Sequence, residues 1–156
     1  MYTTELQKTK KVENLEDPEK LAAFEARVAA DEFIESAEVH GNYYATSRVW
    51  IEERVRAGID VLLEIDVQGA RSVKKRFEDA VYIFILPPSF DTLRTRLQNR
   101  AGDSPEEIQR RLQKAKEEVW SYREYYYIVR NDDLKQSLKE LESIFIAERI
   151  KTKRLN

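Results

Sequence analysis

Val81-Tyr82-Ile83-Phe84-Ile85-Leu86 is a nearly unbroken apolar run that Pro87-Pro88 stops abruptly. A run of that kind is expected of a strand in a parallel sheet covered on both faces, which ties the fold to helices lying on either side. The rest of the chain supplies them. Asp17-Pro18 opens a helix over about 18–31 with Leu21, Phe24 and Val28 facing inward, since Asp accepts from free amides and proline's fixed φ suits the first turn. Ser47 caps a second helix carrying Val49, Trp50, Ile51 and Val55, and Gly58 ends it in the left-handed conformation. Val61-Leu62-Leu63 is a short strand, followed by a helix over about 68–77. Ser89 begins a helix to about Gln98, and Ser104-Pro105-Glu106-Glu107, with its capping-box pair, begins another to about Tyr122. Tyr126 to Arg130 is strand-like. Asp132 or Asp133 opens a last helix whose apolar face is Leu134, Leu138, Leu141, Ile144 and Phe145. Strands alternating with helices predict an α/β layered sheet. Met1 to Glu16 shows little periodicity, and 1–17 is expected to be partly loose.

The 156 residues fit one domain, 1–156, and 42% hydrophobic residues are enough for a real core. With 27 lysines and arginines against 29 acidic residues the net charge is −2, so no overall positive field points to nucleic acid or an anionic membrane. Phosphate binding must then come from local clusters. Cysteine is absent and His40 is the single histidine, which excludes disulfides and thiolate or histidine-cluster metal sites. Met1 to Lys20 carries charges every few residues and lacks a signal-type apolar core, and no apolar run approaches ~20 residues. The cytoplasm is the expected compartment.

Four stretches carry chemistry. Glu35-Ser-Ala-Glu-Val-His-Gly-Asn-Tyr-Tyr-Ala-Thr46 precedes a helix, and the strand after it ends in Glu64-Ile65-Asp66-Val67-Gln68-Gly69. Further on, Arg96, Arg100, Arg110 and Arg111 flank 101–105, and Asn131-Asp132-Asp133 follows the last strand. Taken singly, Glu35 reads as a surface acid, Thr46 as a turn residue, Glu64 as a strand-end acid and Tyr44 as partial core. Asp66 reads equally as a cap for the helix after it or as a ligand-facing acid in the crevice beyond the strands. The arginines alone read as a solvated face.

Their joint order resembles the guanylate kinase family, whose acceptor segment ends in Tyr-Tyr-Gly-Thr or Tyr-Tyr-Gly-Ser and whose next motif is Asp-x-Gln-Gly. Together with Ile83 to Ser89 and Ala147-Glu148-Arg149, the resemblance covers roughly residues 24–150. It implies a P-loop-kinase-like, three-layer parallel sheet flanked by helices, with a GMP-binding insertion over about 24–60 and a helical lid over about 91–122. It also implies ATP-dependent phosphoryl transfer to GMP, with Mg²⁺ accompanying ATP. Guanine offers N1–H and an exocyclic amine as donors and O6 as acceptor, so a carboxylate and a hydroxyl match it. By resemblance Glu35 takes the guanine donors, Thr46 faces O6, Tyr44 touches the GMP phosphate, and Glu64 lies on the acceptor side. Asp66 would act on Mg²⁺ through its water. Arg100 and Arg111 would neutralise the phosphoryl group in flight, and Asn131 would lie beside the adenine and ribose of ATP.

Three departures from the family pattern stand out. Ala45 occupies a family glycine, at a cost of about 1 kcal/mol if the backbone there needs positive φ. Tyr2-Thr3-Thr4-Glu5-Leu6-Gln7-Lys8 resembles the family's Thr-Thr-Arg-x-x-Arg, with Glu5 and Lys8 in place of the arginines. The four glycines, Gly41, Gly58, Gly69 and Gly102, form no G-x-x-x-x-G-K-[ST] loop. The usual first strand is expected to be missing with that loop, leaving sheet edges for a second copy to cover, and these residues alone are expected to be inactive or nearly so as a kinase. The alternative is a guanylate-kinase-like module that binds phosphorylated peptides.

Overall fold

The computed structural model describes residues 4–8, 10–12, 15–39, 42–99 and 104–154. The chain groups into two compact units, 1–80 and 81–156.

In the first unit, β1 (Thr4–Lys8) runs parallel to β5 (Asp60–Glu64), and β2 (Lys10–Val12), β4 (Asn42–Ser47) and β3 (Phe33–Val39) form an antiparallel sheet in the order β2-β4-β3. Much of the stretch expected to be loose is thus strand. Neither β1 nor β2 shows an alternating pattern, because their order comes from pairing with strands far along the chain. The β3–β4 pair is also unanticipated: its residues Glu35, Ser36, Ala37 and Glu38 are poor strand formers held by the partner strand.

Three helices complete this unit: α1 (Pro18–Ala29), α2 (Arg48–Arg56) and α3 (Val67–Lys74). Each is capped as its sequence dictates, Asp17 accepting from Glu19 N, Ser47 from Trp50 N and Asp66 from Gly69 N. Gly58 has φ +73°, as a left-handed stop after α2 requires. Of the stripe expected to face inward from α1 only Phe24 is buried, and Val28 is 40% exposed. Phe24 packs on Phe33 and Ala45, with Val12, Leu15 and Tyr43 around them, and its ring lies 5.5 Å from Phe33 and 5.6 Å from Tyr43.

Ala45 causes no strain. Among the described residues the one non-glycine with positive φ is Asp31 at 59°, and Ala45 sits in ordinary strand opposite Ser36. Asp31 makes the sharp exit from α1 into β3. Its carboxylate takes Arg48 Nη1 at 2.6 Å and Arg76 Nη2, while Arg76 Nη1 donates to the Phe33 carbonyl at 2.6 Å. Arg76, two residues beyond α3, therefore fastens that helix to the start of β3. Arg76→Ala is expected to lower the unfolding free energy by about 1–2 kcal/mol, since the pair is partly solvated. Denaturant titration checks this.

In the second unit, β6 (Ile83–Leu86) runs parallel to β7 (Tyr127–Arg130). Around them are α4 (Phe90–Gln98), α5 (Pro105–Glu118), a 3₁₀ segment over Val119–Glu124 and α6 (Leu134–Arg149). Ser89, Ser104 and Asp133 cap the three helices. β6 departs from the expected strand buried on both faces, because Ile85 is 48% exposed. Among the described residues β6 pairs with β7 alone and β5 with β1 alone.

The inner ridge of α6 also differs from the expected apolar face. Leu134 and Leu138 are 68% and 56% exposed, whereas Ser137 and Glu148 are buried. The ridge runs Ser137, Leu141, Ile144, Glu148, and its polar ends are satisfied. Ser137 Oγ donates to the carbonyls of Asp133 and Arg130, and Glu148 Oε1 accepts from Tyr127 Oη at 2.6 Å and Lys151 Nζ at 2.5 Å. No described helix is long and apolar enough to cross a membrane.

Candidate functional site

The β3–β4 pair decides where Glu35 points. Along β4, Tyr43 and Ala45 contribute to the Phe24 cluster, so Tyr44 and Thr46 occupy the opposite face. In a regular β3, Glu35 would share a face with Phe33 and enter that cluster. It does not, because the register shifts between Phe33 and Glu35. This irregularity lets Phe33, Ile34 and Glu35 be buried in succession, at 9%, 2% and 6% exposure, and turns the carboxylate to the Thr46 face. There Thr46 Oγ1, 1% exposed, donates to Glu35 Oε1 at 2.8 Å. The surface-acid and turn readings of these two residues fail together. A buried carboxylate needs such partners.

The first turn of α3 closes the site from another direction. Asp66, at the carboxyl end of β5, caps α3 through Oδ1 to Gly69 N at 2.9 Å, so the capping role weighed for it is realised. Gly69 itself is buried beside Glu35: a Cβ on it would lie 3.0 Å from Glu35 Oε2 and 3.2 Å from Ile65 Cβ. Glu64 is exposed at the last position of β5, as a strand-end acid would be, and Tyr44 is half-buried. Glu35, Thr46 and Gly69 are thus one constellation, with Asp66 attached through Gly69.

Arg111 and Asn131 belong to the second unit. Arg111 lies on α5, its guanidinium 3.7 Å from Glu107, which also takes Arg110 at 3.4 Å. The backbone of Asn131 is fixed on both sides: its N–H donates to the Leu86 carbonyl at 2.7 Å and its carbonyl accepts from Arg96 Nη1 at 2.9 Å. Arg96 therefore acts on β7's exit loop, a role that spacing did not reveal because the two residues are 35 apart. Arg100 lies outside the described residues, as do Ala101, Gly102, His40, Gly41, Tyr2 and Thr3. The bulge and Arg76 also went unread in the sequence, and neither leaves a local composition signal.

Residues 20–148 match the guanylate kinase family. The chain is 52% identical over 128 residues to a guanylate kinase of Hahella chejuensis, covering 82% of this chain and 62% of that protein. It is 53% identical over 129 residues to one of Nitrosospira multiformis, covering 83% and 61%. It therefore spans about three fifths of the length of these curated relatives. A crystal structure of guanylate kinase from Anaplasma phagocytophilum superposes with a TM-score of 0.71 at 29% identity, covering 96% of this chain and 79% of that one. The α/β, P-loop-kinase-like architecture expected from the motifs holds.

Proposed function

This chain belongs to the guanylate kinase family, and from that premise we propose that its 1–80 unit binds GMP, with Glu35 and Thr46 reading the guanine. The observation that carries the reading is the buried 2.8 Å contact between Thr46 Oγ1 and Glu35 Oε1. A hydroxyl has one proton. With no base present that proton satisfies Glu35; with guanine present, N1–H and the exocyclic amine donate to the carboxylate, and the Thr46 proton turns to O6. One rotation about the Thr46 C–O bond serves both states, so neither buried group loses its partner. Adenine reverses the pattern, offering an amine where O6 would be and a bare nitrogen at N1, and is disfavoured.

In this proposal Tyr44, on the Thr46 face of β4, donates its hydroxyl to the GMP phosphate, and Glu64 contributes negative charge on the acceptor side. Arg111 and Arg100 neutralise charge on the transferred phosphoryl group, and Asn131 lies beside the adenosine of ATP. Among the described residues no group of three or more His, Asp or Glu is gathered around a metal position. In this proposal Asp66 would engage the water shell of an Mg²⁺ that accompanies ATP. Bound there, Mg²⁺ would offset phosphate charge.

The 156 residues contain no G-x-x-x-x-G-K-[ST] loop, and we infer that phosphoryl transfer by these residues alone is slow or absent even though GMP binds. Cytoplasmic location and a second copy covering the outer edges of β5 and β6 complete the reading. A phosphopeptide-binding module has no use for a buried carboxylate–hydroxyl pair matched to guanine. Thr46→Val provides the test. It keeps the shape and removes the proton, and is expected to weaken GMP at least about tenfold in calorimetry. Unchanged GMP affinity would contradict the proposed contact.

A further inference from the structure

Gly69 is the third residue of α3, a helical position where propensity favours alanine over glycine. Its backbone needs no left-handed conformation, since Gly58 is the one described glycine with positive φ. Packing explains it instead. A Cβ here would meet Glu35 Oε2 at 3.0 Å and the Ile65 Cβ at 3.2 Å, and the second of these is anchored close to backbone. The carboxylate cannot withdraw freely, because Glu35 Oε1 is held by Thr46 at 2.8 Å. The helix cannot withdraw freely either. Asp66 fixes its first turn through Gly69 N, and Arg76, just past its other end, binds the Phe33 carbonyl at 2.6 Å.

We propose that Gly69 is a positioning residue for guanine selectivity: its bare Cα is the wall against which Glu35 Oε2 rests, and this contact sets the carboxylate plane so that both oxygens meet the two parallel donors of guanine. The inference rests on the assignment of Glu35 to the guanine. A methyl group on Gly69 rotates the carboxylate about the Thr46 contact, so one of two parallel hydrogen bonds is lost while the other survives. Bidentate geometry is sensitive to such a rotation. The exocyclic amine is what GMP has and IMP lacks, so the ratio of the two affinities reports the second bond separately from overall fit.

The experiment is calorimetric titration of the whole chain and of Gly69→Ala with GMP and with IMP. The parent chain is expected to prefer GMP by about tenfold, the worth of one hydrogen bond to a charged group. In Gly69→Ala the preference should fall toward one, with GMP affinity reduced about tenfold and IMP affected much less. Equal losses for both ligands would reduce Gly69 to a packing residue and overturn the proposal, as would an unchanged ratio. Failure of the parent chain to bind GMP would instead remove the site assignment on which the inference stands. Should Gly69→Ala fold poorly, melting of Glu35→Asp and of the double variant decides. The shorter carboxylate relieves the contact, so the stability losses should be less than additive, and strict additivity would contradict the wall.

Discussion

Glu35→Gln is expected to weaken GMP binding by about a hundredfold or more while shifting the melting temperature by only a few degrees. Glutamine fills the same volume and its carbonyl oxygen still accepts from Thr46 Oγ1, so the 2.8 Å contact that stabilises the buried side chain survives. What changes is the other end of the group. An amide NH₂ replaces one carboxylate oxygen and meets one of the two guanine donors, so a pair of charge-assisted hydrogen bonds, each about 1.5–3 kcal/mol, is replaced by one neutral bond and a donor–donor clash. Glu35→Ala should behave differently, since it strips the buried Thr46 hydroxyl of its partner and leaves a cavity, costing stability as well as affinity. Calorimetry with GMP, paired with thermal melting of both variants, separates recognition from folding.

The second large effect is alkaline loss of stability in the 81–156 unit. Burial pushes the Tyr82 phenol up to about 12 from its ordinary 10.0, with additional repulsion from Tyr126 and Tyr125. Tyr127 is also raised, chiefly by donating to Glu148, and Lys151 is raised by its own hydrogen bond to the same carboxylate. All three hold their protons more tightly folded than unfolded. Their contribution is therefore complete below pH about 10 and is lost as pH climbs through the folded values, because the unfolded chain releases protons first. Denaturant midpoints should be level up to pH about 10 and then fall steeply toward 12. Glu148→Gln should soften that fall by weakening the hydrogen bonds, and removing the charge, that raise Tyr127 and Lys151, and Tyr82→Phe should remove the share due to burial. A midpoint that rose between pH 10 and 12 would contradict the burial of Tyr82 against Tyr125 and Tyr126.

Local chemistry was legible in the chain. Asp17, Ser47, Asp66, Ser89, Ser104 and Asp133 each cap the helix that follows, because an Asp or Ser side chain before a helical turn answers amides within three residues of itself. The Glu35 and Thr46 pairing was legible only through family resemblance, since each alone looks like surface. The bulge that turns Glu35 away from Phe33 could not be read, because a register shift depends on which partner strand arrives and not on the residues beside it. The same reason hid β1 and β2. On α6 the apolar spacing pointed to Leu134 and Leu138, yet Ser137 and Glu148 lie buried because their hydrogen bonds to β7 and its flanks replace the water they lose.

Titrating the intact chain with GMP and, separately, with AMP tests the central assignment most directly. A buried carboxylate and hydroxyl matched to guanine should yield saturable one-to-one binding of GMP, with AMP weaker by about tenfold or more. Equal affinities for the two nucleotides, or heat of binding for neither, would contradict it.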